Sequence, residues 1–372
     1  MNDHPRRAPR TKALMVDRGS RSGPRASPTP PAAPPEPGPH REMPKGYVRD
    51  AILGHIRETH TPETLRGVVF TPPPLDIRHE KIGDFTVDPR KRRGRGDVPC
   101  SLCSRGQPKF LTGSLLWSED GHIRTIGNCC AKGFFAGLSG GYLLIERRHE
   151  QRERQRDAED TLMRIVPRMG AMFDYVHAVN ESAFDAGRAA KEFRRGVPAL
   201  AKTLADAARR GGHLDIVRRT AEASAPEGVG VLRGGRFCLP TYQPQAKPTP
   251  ILLDIARFDL NGQPPRGEPE AFTYITGLDD QQMIDMAKRA TKVVAAVKRL
   301  AQDIEGAWEF MEDANLKALQ TWGQHPDAGL KFEVEYSWRS VLFETRHGDR
   351  VGLDRRPFRQ PLPKLPAEIA AL

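Results

Sequence analysis

Four of the five cysteines in this 372-residue chain lie between positions 100 and 130, and this cluster limits the fold more than any other sequence feature. Cys100 and Cys103 are separated by two residues, whereas Cys129 and Cys130 are adjacent. Two thiolates at the first spacing can face one ion from a tight turn, which suits tetrahedral zinc. The number of cysteines is odd, and four of the five are clustered. This pattern favours a bound metal over disulfide bonds. We therefore predict a bound zinc ion (Zn²⁺).

The residues between the two cysteine pairs are typical of a β-hairpin. A strand ending at Trp117, a turn at 119–121 and a strand over 122–126 would return the chain to the first pair. We expect a helix to open at Cys129 or Cys130, because the free amides and dipole of a helix N-terminus stabilise an anionic thiolate. The second cysteine pair would then lie over the first.

In this order of turn, hairpin and helix, residues 98–138 resemble a treble-clef zinc module. The stretch Gly127-x-x-Cys130-x-Lys132 is similar to the Gly-x-x-Cys start of several modules of that class. The resemblance covers about 40 residues. If four protein ligands hold zinc there, the site is closed and structural. The predicted metal ligands are Cys100, Cys103, Cys129 and Cys130.

The sequence alone does not identify the fourth metal ligand. Treble clefts usually offer two ligands one helical turn apart, whereas the side chains of adjacent residues on a helix diverge by about 100°. Cys129 is a ligand if the helix begins after it, and His122 is the substitute if it does not. Buried free thiols or a redox pair are the alternative to a metal.

Positive charge is concentrated in two segments of a chain whose net charge is +11. Residues 1–49 carry ten Lys and Arg against four Asp and Glu, and residues 89–148 carry eleven against four. The remainder is close to neutral. A basic arm beside a basic cysteine-rich segment favours contact with phosphate, although abundant arginine can also be merely solvated. The predicted nucleic-acid-binding residues are Arg90, Lys91, Arg92, Arg93, Arg95 and Lys132.

Aromatic residues in and beside the module have two interpretations. Interleaved with cations, the rings of Trp117, Phe134 and Phe135 could stack on nucleic-acid bases. In so small a module they could equally form its core. The sequence leaves both interpretations open for Trp117 and favours the core for the two phenylalanines.

Composition and periodicity divide the chain into five regions. Eleven prolines in the first 44 residues predict a disordered Pro- and Arg-rich arm over 1–46. A small α/β region follows over 47–140, with the zinc module at 98–138, and then a helical region over 141–225 that is kinked at Pro167. Residues 226–358 are predicted to form a hairpin at 229–242, a long helix and a C-terminal hairpin. Residues 359–372 are predicted to be a tail.

The long helix of the fourth region begins at the cap Asp279 and carries two seven-residue series, one from Ala290 to Ala318 and one from Met286 to Ala314. Such a seam is typical of a coiled coil, but its small residues also suit packing within one chain. We predict packing against the helix of 142–178. The predicted fold class is therefore α+β, mostly α: a small zinc-bound β-hairpin/helix module plus long antiparallel helices with short β hairpins.

No phosphate-binding loop, dinucleotide glycine motif, His-Glu-x-x-His or nucleophile elbow is present in the sequence. We therefore predict a non-enzymatic, zinc-containing protein whose partner is DNA or RNA, bound through phosphate with little sequence preference. The alternative is a scaffold protein that binds a protein partner through its helices. An enzyme with an unrecognised site in the C-terminal half stays open as a third class.

No stretch of the sequence approaches the roughly 18 apolar residues that a bilayer-spanning helix needs. The arginine-rich N-terminus also lacks the apolar run of a secretory signal. We expect a cytoplasmic protein with no membrane partner.

Overall fold

The computed structural model describes residues 38–92, 94–103, 108–138, 141–219 and 224–372. They divide into two compact units, one ending at Tyr142 and the other beginning at Leu143. The fold is of the mostly helical α+β class with short antiparallel sheets, as predicted. The predicted arm lies outside the described residues as far as position 37.

The N-terminal unit combines short strands with two helices among its described residues. Their bounds are α1 (Gly46–Thr59), β1 (His79–Thr86), β2 (Val98–Pro99), β3 (Pro108–Phe110), β4 (Thr112–Ser118), β5 (Ile123–Ile126) and α2 (Asn128–Phe134). The strand, turn, strand and helix expected between Trp117 and Cys130 are confirmed.

A three-stranded antiparallel sheet in the order β1-β4-β5 forms the centre of this unit. Ile52 and Ile56, four residues apart on α1, are buried and belong to the same core cluster as Ile82 of β1 and Leu115 of β4. The four-residue spacing puts both isoleucines on one face of the helix. Strands β2 and β3 form a separate two-stranded ladder that flanks the first cysteine pair.

The first described residues are fastened to the turn between β4 and β5. The amide of Gly38 donates to the carbonyl of Asp120 at 2.8 Å, and Trp117 Nε1 donates to the carbonyl of His40 at 2.9 Å. A Cβ at position 38 would lie 2.2 Å from the carbonyl oxygen of Gly121, so only glycine permits this approach. The chain therefore reaches α1 from a fixed starting point on the hairpin.

The C-terminal unit is built mainly from helices. The bounds of its elements, beginning at the boundary between the units, are α3 (Gly141–Ile165), α4 (Met169–Ala178), α5 (Asn180–Gly196), α6 (Pro198–Arg209), β6 (His213–Arg219), β7 (Ser224–Val231), α7 (Pro248–Ile255), α8 (Gly267–Thr276), α9 (Asp280–Phe310), α10 (Asp313–Gln324), β8 (Phe332–Tyr336), β9 (Ser340–Thr345), β10 (Arg350–Asp354) and α11 (Ala367–Ala370). The predicted interruption at Pro167 is present as one 3-10 turn, Val166–Arg168, between α3 and α4.

The long helix α9 lies where the heptad pattern predicts, in one core with α3 and α4. Leu162 and Met169 share a buried cluster with Ala290, Val293 and Val297 of α9. The helix begins at a capping box formed by Asp279 and Gln282, because each side chain binds the backbone amide of the other residue. This arrangement confirms packing within the chain.

The seam ends earlier than its seven-residue series. Helix α9 stops at Phe310, and α10 begins at Asp313 after a break. Met311 is still buried, but Ala314 is exposed. Phe310, the last residue of α9, packs against Phe193 and Phe237 in the second core of this unit.

The predicted hairpin over 229–242 is wrong. The structure pairs β6 with β7, so the hairpin covers 213–231, and Gly235–Cys238 form a 3-10 turn. Leu214 and Ile216 of β6 alternate with exposed residues and are buried, which overrides the helical character of the sequence before them. Residues 220–223, which connect β6 to β7 in the sequence, lie outside the described residues.

Near the C-terminus the two predicted strands are joined by a third. The sheet order is β10-β9-β8, antiparallel throughout. The segment predicted as a tail packs on the core, since Ile369 is fully buried and Lys298 Nζ donates to the carbonyl of Ala370 at 2.8 Å. Among the described residues, no helix has both the length and the apolar character that crossing a membrane requires.

Candidate metal centre

The first cysteine pair lies in a turn that begins where β2 ends. Cys103 N donates to the carbonyl of Cys100 at 3.3 Å, which closes the turn between the two cysteines. The amide of Ser101 donates to the carbonyl of Thr125 at 2.8 Å, and the Thr125 hydroxyl donates to the carbonyl of Pro99 at 2.6 Å. The turn is thus fastened to β5, the strand that leads into α2.

The structure brings three cysteines together. The sulfur atoms of Cys100, Cys103 and Cys130 all lie within 4.8 Å of one another, and those of Cys103 and Cys130 are 3.2 Å apart. Four-coordinate zinc with bonds of about 2.3 Å would hold its sulfur ligands about 3.8 Å apart. The three sulfurs therefore surround a space that fits a single metal ion.

The thiols of Cys103 and Cys130 share a hydrogen bond. It lowers the pKa of Cys103 and raises the pKa of Cys130 to about 12. The charge of Lys109 lowers the pKa of Cys103 further. The charge of Lys109 thus favours the thiolate form of Cys103, the form in which cysteine binds a metal.

Cys129 is not brought into this cluster. Helix α2 begins at Asn128, so Cys129 and Cys130 are both in its first turn, and their side chains diverge by about 100°. Cys130 faces the turn of Cys100 and Cys103, whereas Cys129 is exposed. His122, the other candidate for fourth ligand, is also outside the group among the residues that the structure describes.

Trp117 and Phe135 are core side chains. Trp117 is 4% exposed and Phe135 is fully buried. Phe135 contacts the rings of His79, Phe134 and Tyr142, with centroids 5.2, 5.0 and 6.2 Å away. Neither Trp117 nor Phe135 presents a face on which a nucleic-acid base could stack.

Most of the described basic candidates lie on the surface of the N-terminal unit. Arg90, Lys91, Arg95 and Lys132 are exposed. Of these, only Arg95 approaches a carboxylate among the described residues, at 3.7 Å from Glu63. Arg93 lies outside the described residues.

Arg92 differs from its neighbours and corrects one expectation. Its side chain is 1% exposed, and its Nη2 binds Glu63 Oε1 at 2.9 Å. The guanidinium also donates to the carbonyls of His60 and Gly96. An arginine whose donors are used inside the protein has no free face for a phosphate, so Arg92 is a structural residue.

Sequence reasoning missed Glu63 and the position of Lys109 beside Cys103. Glu63 follows Pro62 in a short 3-10 turn after α1, and the segment gives no sign that it faces a loop 29 residues later. For Lys109 the sequence gives a weak signal of its position beside Cys103, because Lys109 belongs to β3, the strand that follows the first cysteine pair.

In comparisons with known proteins, no family model, no curated protein and no solved structure matches this chain.

Proposed function

We propose that this protein holds a structural zinc ion and associates with nucleic acid through phosphate contacts, without catalysing a reaction. The observation that carries the proposal is the combination, within the N-terminal unit, of a three-cysteine cluster and exposed cations that lack carboxylate partners among the described residues. Those cations are Arg90, Lys91, Lys109 and Lys132.

Three features support zinc in particular. The donor set is thiolate, which suits zinc and other soft metals and not magnesium or calcium. The order of cysteine turn, hairpin and helix is similar to that of a treble clef. Lys109 lies near enough to lower the pKa of Cys103, so part of the negative charge of the thiolates is balanced. A zinc ion here would hold β2, β5 and α2 together.

The charge distribution supports the nucleic-acid partner. Residues up to Tyr142 carry 23 Lys and Arg against 14 Asp and Glu, a net charge of +9, whereas residues from Leu143 carry 35 against 33, a net charge of +2. A polyanion is attracted to the first unit because its binding releases the counterions condensed on the phosphates. Contacts of this kind carry no sequence preference.

The test of the nucleic-acid proposal is the salt dependence of binding. We expect purified protein to bind mixed-sequence duplex or single strands, with affinity falling steeply between about 50 and 200 mM salt. The double substitution Lys109→Ala and Lys132→Ala should reduce the slope of log K against log salt by one to two, because each lost phosphate contact removes about one unit.

The matched control removes two cations of the other unit, Lys292→Ala with Arg299→Ala. Both are exposed on α9 and have no ion pair among the described residues. Equal effects of the two double substitutions, or binding that does not change with salt, would contradict the proposal.

A scaffold function is the second candidate, and exposed apolar side chains on the helices of the C-terminal unit favour it. Phe184 on α5, Leu253 on α7 and Phe272 on α8 are 59%, 63% and 57% exposed. Single substitutions of these residues by serine should abolish retention of a protein partner while leaving nucleic-acid affinity unchanged. Partner retention by all three variants would remove this candidate.

A further inference from the structure

The N-terminal unit contains a polar cleft of about 650 Å³ that no metal ligand lines. The last turn of α1 and the residues after it form one wall, with Glu58, Thr59 and Thr61. The loop before β2 forms the other, with Arg90, Lys91 and Arg95, and Arg92 lies at the floor. A cleft of this size is within the range of sites for small ligands.

The floor of the cleft is a fixed structure. The two carboxylate oxygens of Glu63 accept hydrogen bonds from Arg92 at 2.9 and 3.3 Å. His60 ends α1 in the left-handed conformation, with φ of 56°, and its carbonyl also accepts from Arg92. His60 Nδ1 in turn accepts from the amide of Asp88 at 3.2 Å. The basic loop is thereby joined to the end of α1.

The backbone that carries the first two exposed cations is also held in place. Residues Pro89–Lys91 form a 3-10 turn, and the carboxylate of Asp88 caps it by accepting from the amide of Arg90 at 2.9 Å. Proline fixes its own φ at the start of this turn. Arg90 and Lys91 are therefore presented from a braced turn.

The walls of the cleft differ in what they can bind. The Thr59 hydroxyl donates to the carbonyl of His55 at 2.7 Å, and the Thr61 hydroxyl lies 2.9 Å from that of Thr59, to which it donates. These hydroxyl hydrogens are used within the wall. Among the residues that line the cleft, the donors left for a ligand are those of Arg90, Lys91 and Arg95.

The positive charge of the cleft is not balanced by the carboxylates of the described residues. Arg90 and Lys91 have no carboxylate partner among the described residues, and Arg95 is 3.7 Å from Glu63, which already binds Arg92. Among the residues that line the cleft, Glu58 is the acidic one. Cations held near one another repel, and an oxyanion between them relieves that repulsion.

We propose that this cleft binds a phosphate group, held by Arg90, Lys91 and Arg95 while Arg92 positions the loop. The group is either a phosphate of a nucleic-acid strand, in which case the inference rests on the proposed function, or that of a free phosphate compound. Both present the same oxyanion to the same three side chains.

The first arm of the test uses pyrophosphate as the probe, titrated calorimetrically into the full chain at low salt. Arg90→Ala with Lys91→Ala should weaken binding at least about tenfold, because two charge-assisted contacts are lost. Lys292→Ala with Arg299→Ala on α9 is the control and should leave the affinity unchanged. Both pairs are exposed, and circular dichroism should show unaltered helix content in each.

The second arm repeats the comparison with a mixed-sequence single strand. Loss of affinity for the strand that is larger in the cleft variant than in the α9 variant supports the inference, whether or not pyrophosphate binds. Pyrophosphate binding that depends on the cleft, in a protein that binds no strand, supports the inference and overturns the proposed function.

The remaining outcomes overturn the inference. If the strand binds but the cleft and α9 variants weaken it equally, and pyrophosphate binding does not depend on the cleft, the proposed function stands without this site. If neither probe binds the wild-type chain, both fall.

Discussion

Cys129 and Cys130 are neighbours in α2, yet only Cys130 lies with the sulfurs of Cys100 and Cys103. Helical geometry separates the two side chains by about 100°, so one face of the helix meets the turn and the other meets solvent. At the scale of single residues, the cysteine set of the candidate metal centre therefore depends on where the helix begins.

Substituting these two cysteines one at a time should give different results. We expect Cys130→Ser to abolish stoichiometric metal binding, because it removes one of three converging thiolates, and Cys129→Ser to retain one metal per chain. Elemental analysis of both purified variants measures this directly. Equal loss in the two variants would show that Cys129 is a ligand and that the first turn of α2 opens to admit it.

A second residue-scale feature is the carboxylate of Asp313, which serves two arginines. Arg355, whose side chain is 1% exposed, donates to Asp313 at 2.7 Å, and Arg359 donates to it at 2.6 Å. The hydrogen bond from Arg355 lowers the pKa of Asp313, and the one from Arg359 adds to the effect. The ionised carboxylate is thus favoured in the folded state.

This arrangement predicts a pH dependence of known sign. Since the folded-state pKa is lowered, the stabilisation is present above the ordinary aspartate pKa of about 3.9 and is lost as pH falls through the lowered value. Asp313→Asn should lower the melting temperature at pH 7, and the gap to the wild type should close near pH 2. Asp327→Asn, at an exposed residue without an ion pair among the described residues, is the control. A gap that widens in acid would contradict the assignment.

At the scale of elements, α9 is stabilised both by a local capping box and by tertiary packing. Its start is fixed locally, since Asp279 and Gln282 satisfy one another's amides at 2.8 and 2.9 Å. Its middle is fixed by burial of residues such as Val293 and Val297 against α3 and α4. The cap therefore affects the first turns and the core affects the rest.

Removing the cap should loosen only the start of α9. Asp279→Ala should cost about 1 kcal/mol and speed amide exchange over residues 280–284, because the amide of Gln282 loses its acceptor. Hydrogen exchange followed by mass spectrometry measures this. Asp280→Ala, one residue further along, is the matched control, and an equal effect there would argue against the capping box.

At the scale of the whole molecule, the two units differ in net charge and in the interactions that stabilise each of them. The candidate metal centre lies entirely in the N-terminal unit, whereas the C-terminal unit has two large apolar cores of its own. Where a metal site forms with the fold, the free energy of metal binding becomes free energy of folding for that segment. Loss of the metal should therefore destabilise the N-terminal unit and leave the C-terminal unit folded.

Chelation of the full chain should confirm this division. We expect a strong zinc chelator to speed amide exchange in β2 to β5 and α2 and to leave α9 and β8 to β10 unchanged. Cys130→Ser should reproduce the pattern without chelator. Exchange that is unaffected in both units would mean that no metal contributes to this fold, and faster exchange in both would mean that the units unfold together.

Local spacing was enough to predict several elements. The cysteine pairs and the residues between them predicted the hairpin and the helix beside the cysteine cluster, and the periodicity from Asp279 predicted α9 with its cap. These features could be predicted because helix and strand periodicity and capping depend on neighbours within a few residues. The wrong prediction of a hairpin at 229–242 shows the limit of local patterns. Leu214 and Ile216 lie in a strand because their side chains are buried in a core that residues distant in the sequence complete.

What the sequence by itself determined is therefore the class of the fold, the position of the cysteine cluster and the concentration of positive charge in the N-terminal arm and around that cluster. The tertiary structure decided which of two adjacent cysteines joins the cluster, and that Arg92 is buried against Glu63 while Arg90, Lys91 and Arg95 line a cleft. The physical reason is distance along the chain. Burial and ion pairing between residues tens of positions apart follow from how the elements pack, and no local pattern records them.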